Sequence, residues 1–140
     1  MTVSRPILLV EDNQMDLDLT LLAFQRRNLT NPIEVARDGQ EALDWLARWE
    51  NGEPAPAVIL LDLKLPIFTG LEVLEKIKTH KTFHTIPVVV LTSSREDRDI
   101  QAAYALGANS YIVKPVKFEK FLDVATQIDL YWCVFNEPPV

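Results

Sequence analysis

Val58-Ile59-Leu60-Leu61-Asp62 is the stretch that decides the fold: four apolar residues run unbroken into a carboxylate. A short run that is apolar on both faces fits a strand inside a parallel sheet covered on each side. A charge at the carboxyl end of such a strand has no good structural use. The same figure recurs along the chain. Ile7-Leu8-Leu9-Val10 runs into Glu11-Asp12, Val88-Val89-Val90-Leu91 into Thr92, and Tyr111-Ile112-Val113 into Lys114. In an open parallel sheet the carboxyl ends of the strands share one crevice, and ligands bind there. Three acids, a hydroxyl and an ammonium are therefore expected at one place.

Between these runs the period changes to that of a helix. Leu17, Leu21 and Phe24 mark a first helical face, with Asn13 or Asp16 to cap it. A weaker strand at Ile33 to Ala36 leads through Asp38-Gly39 into a helix over Gln40 to Asn51, and Glu53-Pro54 begins the next loop. Pro66 and Gly70 punctuate the loop after Asp62, and Leu71, Leu74 and Ile77 mark a third helix. A polar patch from Ser93 to Asp99 precedes a helix carrying Ile100, Ala103, Tyr104 and Leu106, with Gly107 as a left-handed cap. Ser110 to Val113 is the fifth strand, and from Lys117 apolar residues recur at three and four as far as Trp132. Such alternation implies right-handed crossovers and a doubly wound α/β fold, a five-stranded parallel sheet with helices on both faces. A flavodoxin-like (βα)5 order 2-1-3-4-5 would set strands one and three side by side at the switch point. Glu11-Asp12 and Asp62 would then be neighbours.

With 140 residues, 48% of them apolar and 24% charged, the chain has the make-up of a single globular domain. That domain is expected over residues 1–135, with 136–140 as a tail and no output domain. A formal net charge of −6 and a pI near 4.9 argue against a nucleic-acid surface, which needs clustered Lys and Arg. Cys133 is the single cysteine, which excludes an intramolecular disulfide and fits a reducing interior. No apolar stretch approaches the ~18 residues of a membrane span. The expectation is a cytoplasmic protein with no nucleic-acid or membrane partner. His80 and His84 lie in a polar connection and read as surface residues; Trp132 and Phe135 read as helix packing.

Two like charges ~4 Å apart repel by ~4 kcal/mol at an effective dielectric of 20, so the acids must protonate, separate or recruit a cation. Mg2+ is the natural counterion, since it takes a few carboxylates together with waters and a phosphate. A carboxylate of Asp62 could then attack phosphorus directly and form an acyl phosphate, with Lys114 shielding the negative oxygens.

These residues carry a resemblance. Over nearly its whole length the chain resembles a two-component response regulator receiver domain. Glu11-Asp12 looks like that family's acidic pair, Asp62 like its phosphoacceptor, Thr92 like its switch hydroxyl, Tyr111 like its switch aromatic and Lys114-Pro115 like its Lys-Pro ending. The resemblance implies Mg2+ held by Asp12, Asp62 and the backbone carbonyl of Lys64, with Glu11 acting through water. It implies a sensor histidine kinase as phosphodonor and a cis peptide before Pro115, a bond where the cis penalty is small. It implies that the phosphoryl group draws Thr92 toward it, that Tyr111 turns inward, and that the face of the fourth helix, fifth strand and fifth helix changes what it binds. That face would serve an unknown downstream protein or a homodimer. The Gln40–Asn51 helix and the Trp132–Pro139 ending look more like the small regulators paired with bacterial phytochromes than like the chemotaxis regulator.

Two positions depart from the family's commoner pattern. Lys64 stands two residues after the phosphoacceptor, where an uncharged residue or an amide is usual, and its ammonium is expected to lean over the pocket. Ser93 follows Thr92 where a smaller residue is common. Each marker also has a plainer reading: Asp12 or Ser94 as a helix cap, Thr92 as a strand end, Lys114 as a turn lysine, Tyr111 as an edge aromatic. Those readings would all have to coincide at one sheet edge. From another class, a Mg2+-dependent aspartyl-phosphate phosphohydrolase would show a second Asp where this chain has Lys64. A nucleotide-binding loop is absent from the sequence.

Overall fold

The computed structural model describes residues 5–114 and 117–128. In chain order the elements are β1 (Ile7–Val10), α1 (Gln14–Arg26), β2 (Ile33–Ala36), α2 (Gly39–Glu50), β3 (Val58–Leu61), α3 (Gly70–Lys78), β4 (Val88–Thr92), α4 (Asp97–Ala105), β5 (Ser110–Val113) and α5 (Phe118–Gln127), with one 3-10 turn at Phe83–Thr85. The expected cis bond before Pro115 lies outside the described residues, as do Cys133, Trp132 and the proposed tail.

All five strands are parallel, as the alternation implied, and they are ordered β2-β1-β3-β4-β5, the flavodoxin-like order expected. The three central strands are fully buried, which is why they read as unbroken apolar runs. Their side chains alternate between two cores. Leu8, Val10, Ile59, Leu61, Val88 and Val90 face α2 and α3, while Ile7, Leu9, Val58, Leu60, Val89 and Leu91 face α1 and α5. The edge strands β2 and β5 are mostly half-buried.

Register delivers the site. Val10 pairs with Leu61, so the next residue of each strand, Glu11 and Asp62, leaves the sheet beside the other. Backbone hydrogen bonds extend past the strand ends: Asp62 N–H donates to Val10 at 3.1 Å, Glu11 N–H to Ala36 at 2.9 Å and Lys114 N–H to Thr92 at 2.7 Å. The site backbone is thus held as firmly as the ladder itself.

Caps fix the helix starts. Asn13 accepts from Asp16 N–H, Asp38 from Glu41 N–H, and Thr69 forms a reciprocal capping box with Glu72. Among Asp12, Asn13 and Asp16, the candidates for α1, Asn13 is therefore the cap, and the Asp16 side chain is left for other work. The polar patch also shortens: α4 begins at Asp97, so Asp97 and Asp99 lie in its first turn, where acids suit the positive end of the helix dipole. Ala103 is the buried residue of α4, whereas Tyr104, expected on its packed face, is 49% exposed. His80 corrects another expectation. Its ring lies 4.8 Å from that of Phe83 and its Nε2 3.3 Å from Glu50, so it is half-buried, whereas His84 is exposed.

Gly70 opens α3 hard against the end of β3. A Cβ there would stand 2.2 Å from the Asp62 carbonyl oxygen and 2.4 Å from the Leu63 Cα, both backbone atoms. Gly70→Ala should lower stability by about 3 kcal/mol, since overpacking against backbone has no flexible partner to yield. Urea denaturation checks this; an unchanged midpoint would show that the β3–α3 junction is looser than described.

Candidate functional site

Four side chains predicted to converge do so. Glu11 and Asp62 are buried at 3% and 5% exposure, Asp12 beside them is exposed, and carboxylate oxygens of the three lie within 4.8 Å of one another. Lys114 reaches in from the end of β5. Its Nζ stands 2.8 Å from Glu11 Oε1, 2.8 Å from Asp62 Oδ2 and 2.7 Å from Asp16 Oδ2. The other Asp62 oxygen, Oδ1, accepts from Lys64 N–H at 3.2 Å, and Glu11 Oε2 accepts from Asn13 N–H at 3.2 Å. Asp62 is thus held at both oxygens.

Thr92 ends β4, the strand next to β3, and is fully buried. Tyr111, on β5, donates its hydroxyl proton to the Ser94 carbonyl at 2.9 Å. Lys64 is exposed and lines a cavity of about 420 Å³ together with Asp12 and Asp99. Among the described residues its ammonium makes no ion pair or hydrogen bond with the acids. Ser93 is exposed as well.

Three residues joined the site unannounced. Asp16 was read only as a possible cap, and its one sequence signal is its place a single helical turn beyond Asp12. Ser94, 5% exposed, is a hub: its N–H donates to Thr92 Oγ1 at 3.4 Å, its hydroxyl donates to Asp99 Oδ2 at 2.5 Å and accepts from Glu96 N–H at 3.3 Å. Nothing in the local pattern distinguishes Ser94 or Asp99 from an ordinary polar loop and helix start.

The electrostatics follow from burial. Glu11 is pushed from its ordinary 4.5 to about 7, chiefly by desolvation and further by the Asp62 charge, against the pull of the Lys114 hydrogen bond. Burial alone would lower Lys114, but its hydrogen bonds to Asp16, Asp62 and Glu11 outweigh that and raise it well above the usual lysine range. Tyr111 is raised too, mainly by burial. One ammonium does not neutralise this many acids. The all-oxygen donor set of Glu11, Asp12 and Asp62 fits a hard divalent cation such as Mg2+.

Because folded Glu11 keeps its proton to higher pH than unfolded Glu11, folding takes up a proton between 4.5 and about 7. In EDTA, the wild-type protein should therefore lose roughly 3 kcal/mol of stability as pH rises across that window, and Glu11→Gln should flatten the slope. Urea unfolding at a series of pH values checks this; equal slopes would show that Glu11 titrates elsewhere.

Comparison with known proteins agrees with this geometry. Residues 7–126 match the family model described as the response regulator receiver domain. The chain is 45% identical to the probable methanogenesis regulatory protein FilR2 of Methanothrix harundinacea, over 95% of this chain and 86% of that protein. The phosphorylated cyanobacterial phytochrome response regulator RcpA superposes with a TM-score of 0.89 at 35% identity, covering 99% of this chain and 100% of the other. The Mn2+-bound form of response regulator Rcp1, a Synechocystis protein, superposes with a TM-score of 0.86 at 34% identity, covering 97% and 99%.

Proposed function

From a chain that belongs to the response regulator receiver domain family, we propose a single-domain regulator that accepts a phosphoryl group on Asp62 from a sensor histidine kinase and signals by protein contact. The observation that carries this is the Lys114 ammonium 2.8 Å from Asp62 Oδ2, at the buried end of β3 within the acidic cluster. Receiver domains are signalling proteins, and they bind Mg2+ or Mn2+ at an acidic pocket, which Glu11, Asp12 and Asp62 form here. The carbonyl of Lys64 would complete the set.

In the transfer, one Asp62 oxygen bonds phosphorus as the bond from phosphorus to the donor nitrogen breaks, and the bonding pair leaves with the donor's imidazole. When bound, the divalent ion screens the phosphoryl oxygens from the carboxylates. The chain's own residues do the rest. Lys64 N–H and Lys114 orient the Asp62 carboxylate, and Lys114 then donates to a phosphoryl oxygen. Thr92 offers its hydroxyl to another. Ser94 stands between Thr92 and Tyr111, hydrogen-bonded to both, so a shift of Thr92 disturbs the Tyr111 hydroxyl's contact and with it the face of α4, β5 and α5. A tenfold population change needs only ~1.4 kcal/mol, within one charge-assisted hydrogen bond.

RcpA is described as a phytochrome response regulator, which supports a phytochrome-type kinase as partner. Among the described residues no helix is long and apolar enough to cross a membrane, and a cytoplasmic location fits the lone cysteine. The phosphohydrolase alternative is disfavoured, because Lys64 occupies the place of its general acid.

Incubation with acetyl phosphate and Mg2+ should add one phosphoryl mass to the wild type and none to Asp62→Asn, read by intact mass spectrometry. Continued turnover of phosphoester would favour the hydrolase. Beryllofluoride, standing in for the phosphoryl group, should shift the size-exclusion elution to that of a dimer if the α4-β5-α5 face self-associates. An unmoved monomer peak would leave that face to the downstream protein.

A further inference from the structure

We propose that Asp16 is a positioning residue for phosphoryl transfer: it anchors the Lys114 ammonium while that group passes its hydrogen bond from Asp62 to the phosphoryl oxygens. The inference rests on the reading of Asp62 as phosphoacceptor. Lys114 has three N–H donors, and three different carboxylates take them, from Glu11, Asp16 and Asp62. The ammonium is saturated. To reach a phosphoryl oxygen it must release one partner, and that partner is Asp62, whose carboxylate loses its charge on becoming an acyl phosphate. Glu11 is a poor sole anchor, since it is needed with Asp12 and Asp62 around the cation. Asp16 is the partner of Lys114 outside that three-carboxylate cluster.

The surroundings make Asp16 a firm anchor. It sits in the first turn of α1, its backbone N–H held by the Asn13 cap and its carbonyl accepting the Thr20 hydroxyl at 2.7 Å. Since Asn13 caps the helix, the Asp16 carboxylate has no capping duty, and its recorded partner is Lys114 at 2.7 Å. The side chain is 25% exposed against 10% for Lys114, so the pair is largely shielded from screening. The contact joins residues 98 apart in sequence. Helix α1 is itself braced against α5 through the second core, so the anchor does not drift with the ligand.

The test is a double-mutant cycle on the rate of acetyl-phosphate phosphorylation at saturating Mg2+. Asp16→Ala should slow the reaction about tenfold, the cost of a loosened ammonium, and Asp16→Glu should recover most of it. In a Lys114→Met background, Asp16→Ala should change the rate by less than about twofold, because the two groups act as one unit. Mg2+ affinity, measured by calorimetry, should move less than the rate does. A wild-type rate in Asp16→Ala, or the same loss with Lys114 already replaced, would overturn the proposal and leave Asp16 as an ordinary brace between α1 and β5. Should the wild type itself take no phosphoryl group, the phosphoacceptor reading fails instead. Thermal unfolding of each variant separates lost structure from lost chemistry.

Discussion

Everything at the carboxyl edge of this sheet turns on one ammonium shared among three carboxylates. Lys114 holds Glu11, Asp16 and Asp62 at hydrogen-bond distance, and Asp12 adds a fourth acid at the rim. A single positive charge does not balance them, and burial above all, with the Asp62 charge beside it, pushes the Glu11 carboxyl up to about 7. A fold selected for stability alone would avoid such a cluster, since a buried charge with incomplete pairing is costly. Its presence fits a site finished by what binds: a divalent ion against the carboxylates and, in the function proposed, a phosphoryl group against the ammonium and the Thr92 hydroxyl.

The scaffold keeps that imbalance from relaxing. Were the strand ends free to fray, the acids would swing apart into water. Ladder hydrogen bonds instead continue through Glu11, Asp62 and Lys114, and Gly70 allows α3 to press its first turn against the β3 end. The rigid part of the molecule is therefore the part that carries the repulsion.

How much of this could be read from residues alone depends on which physical signal each element carries. The central strands β1, β3 and β4 were plain, because burial on both faces demands unbroken apolar runs, whereas the order that decides which acids meet came from the flavodoxin-like expectation and not from any residue pattern. Helix α4 was read less well: it covers the sheet near the half-buried edge strand β5 and buries chiefly Ala103, so its pattern could not show that Tyr104 faces solvent. His80 looked polar and free, and only the tertiary placement of Phe83 and Glu50 reveals its packing. Asp16 was missed for a related reason. An acid in a first turn has a sufficient local explanation, and its pairing with Lys114 depends on a contact 98 residues away. The Lys114-Pro115 geometry lies outside the described residues.

The link between chemistry and output has the same local economy. Thr92 is completely buried, so its hydroxyl cannot move without disturbing something packed around it. What it touches is Ser94, whose backbone meets the Tyr111 hydroxyl and whose side chain meets Asp99 and the first turn of α4. One residue thus ties the Thr92 hydroxyl, the edge strand and the adjoining helix. In the function proposed, pulling Thr92 toward a phosphoryl oxygen would lengthen the 3.4 Å contact in which its Oγ1 accepts from Ser94 N–H, while its own hydroxyl proton would be donated to an anion. The charge-assisted bond would outweigh the weakened contact, and the disturbance would pass to the Tyr111 and Asp99 bonds of Ser94. On that reading Ser94 would carry a shift of Thr92 to β5 through the 2.9 Å Tyr111 bond and to α4 through the 2.5 Å Asp99 bond.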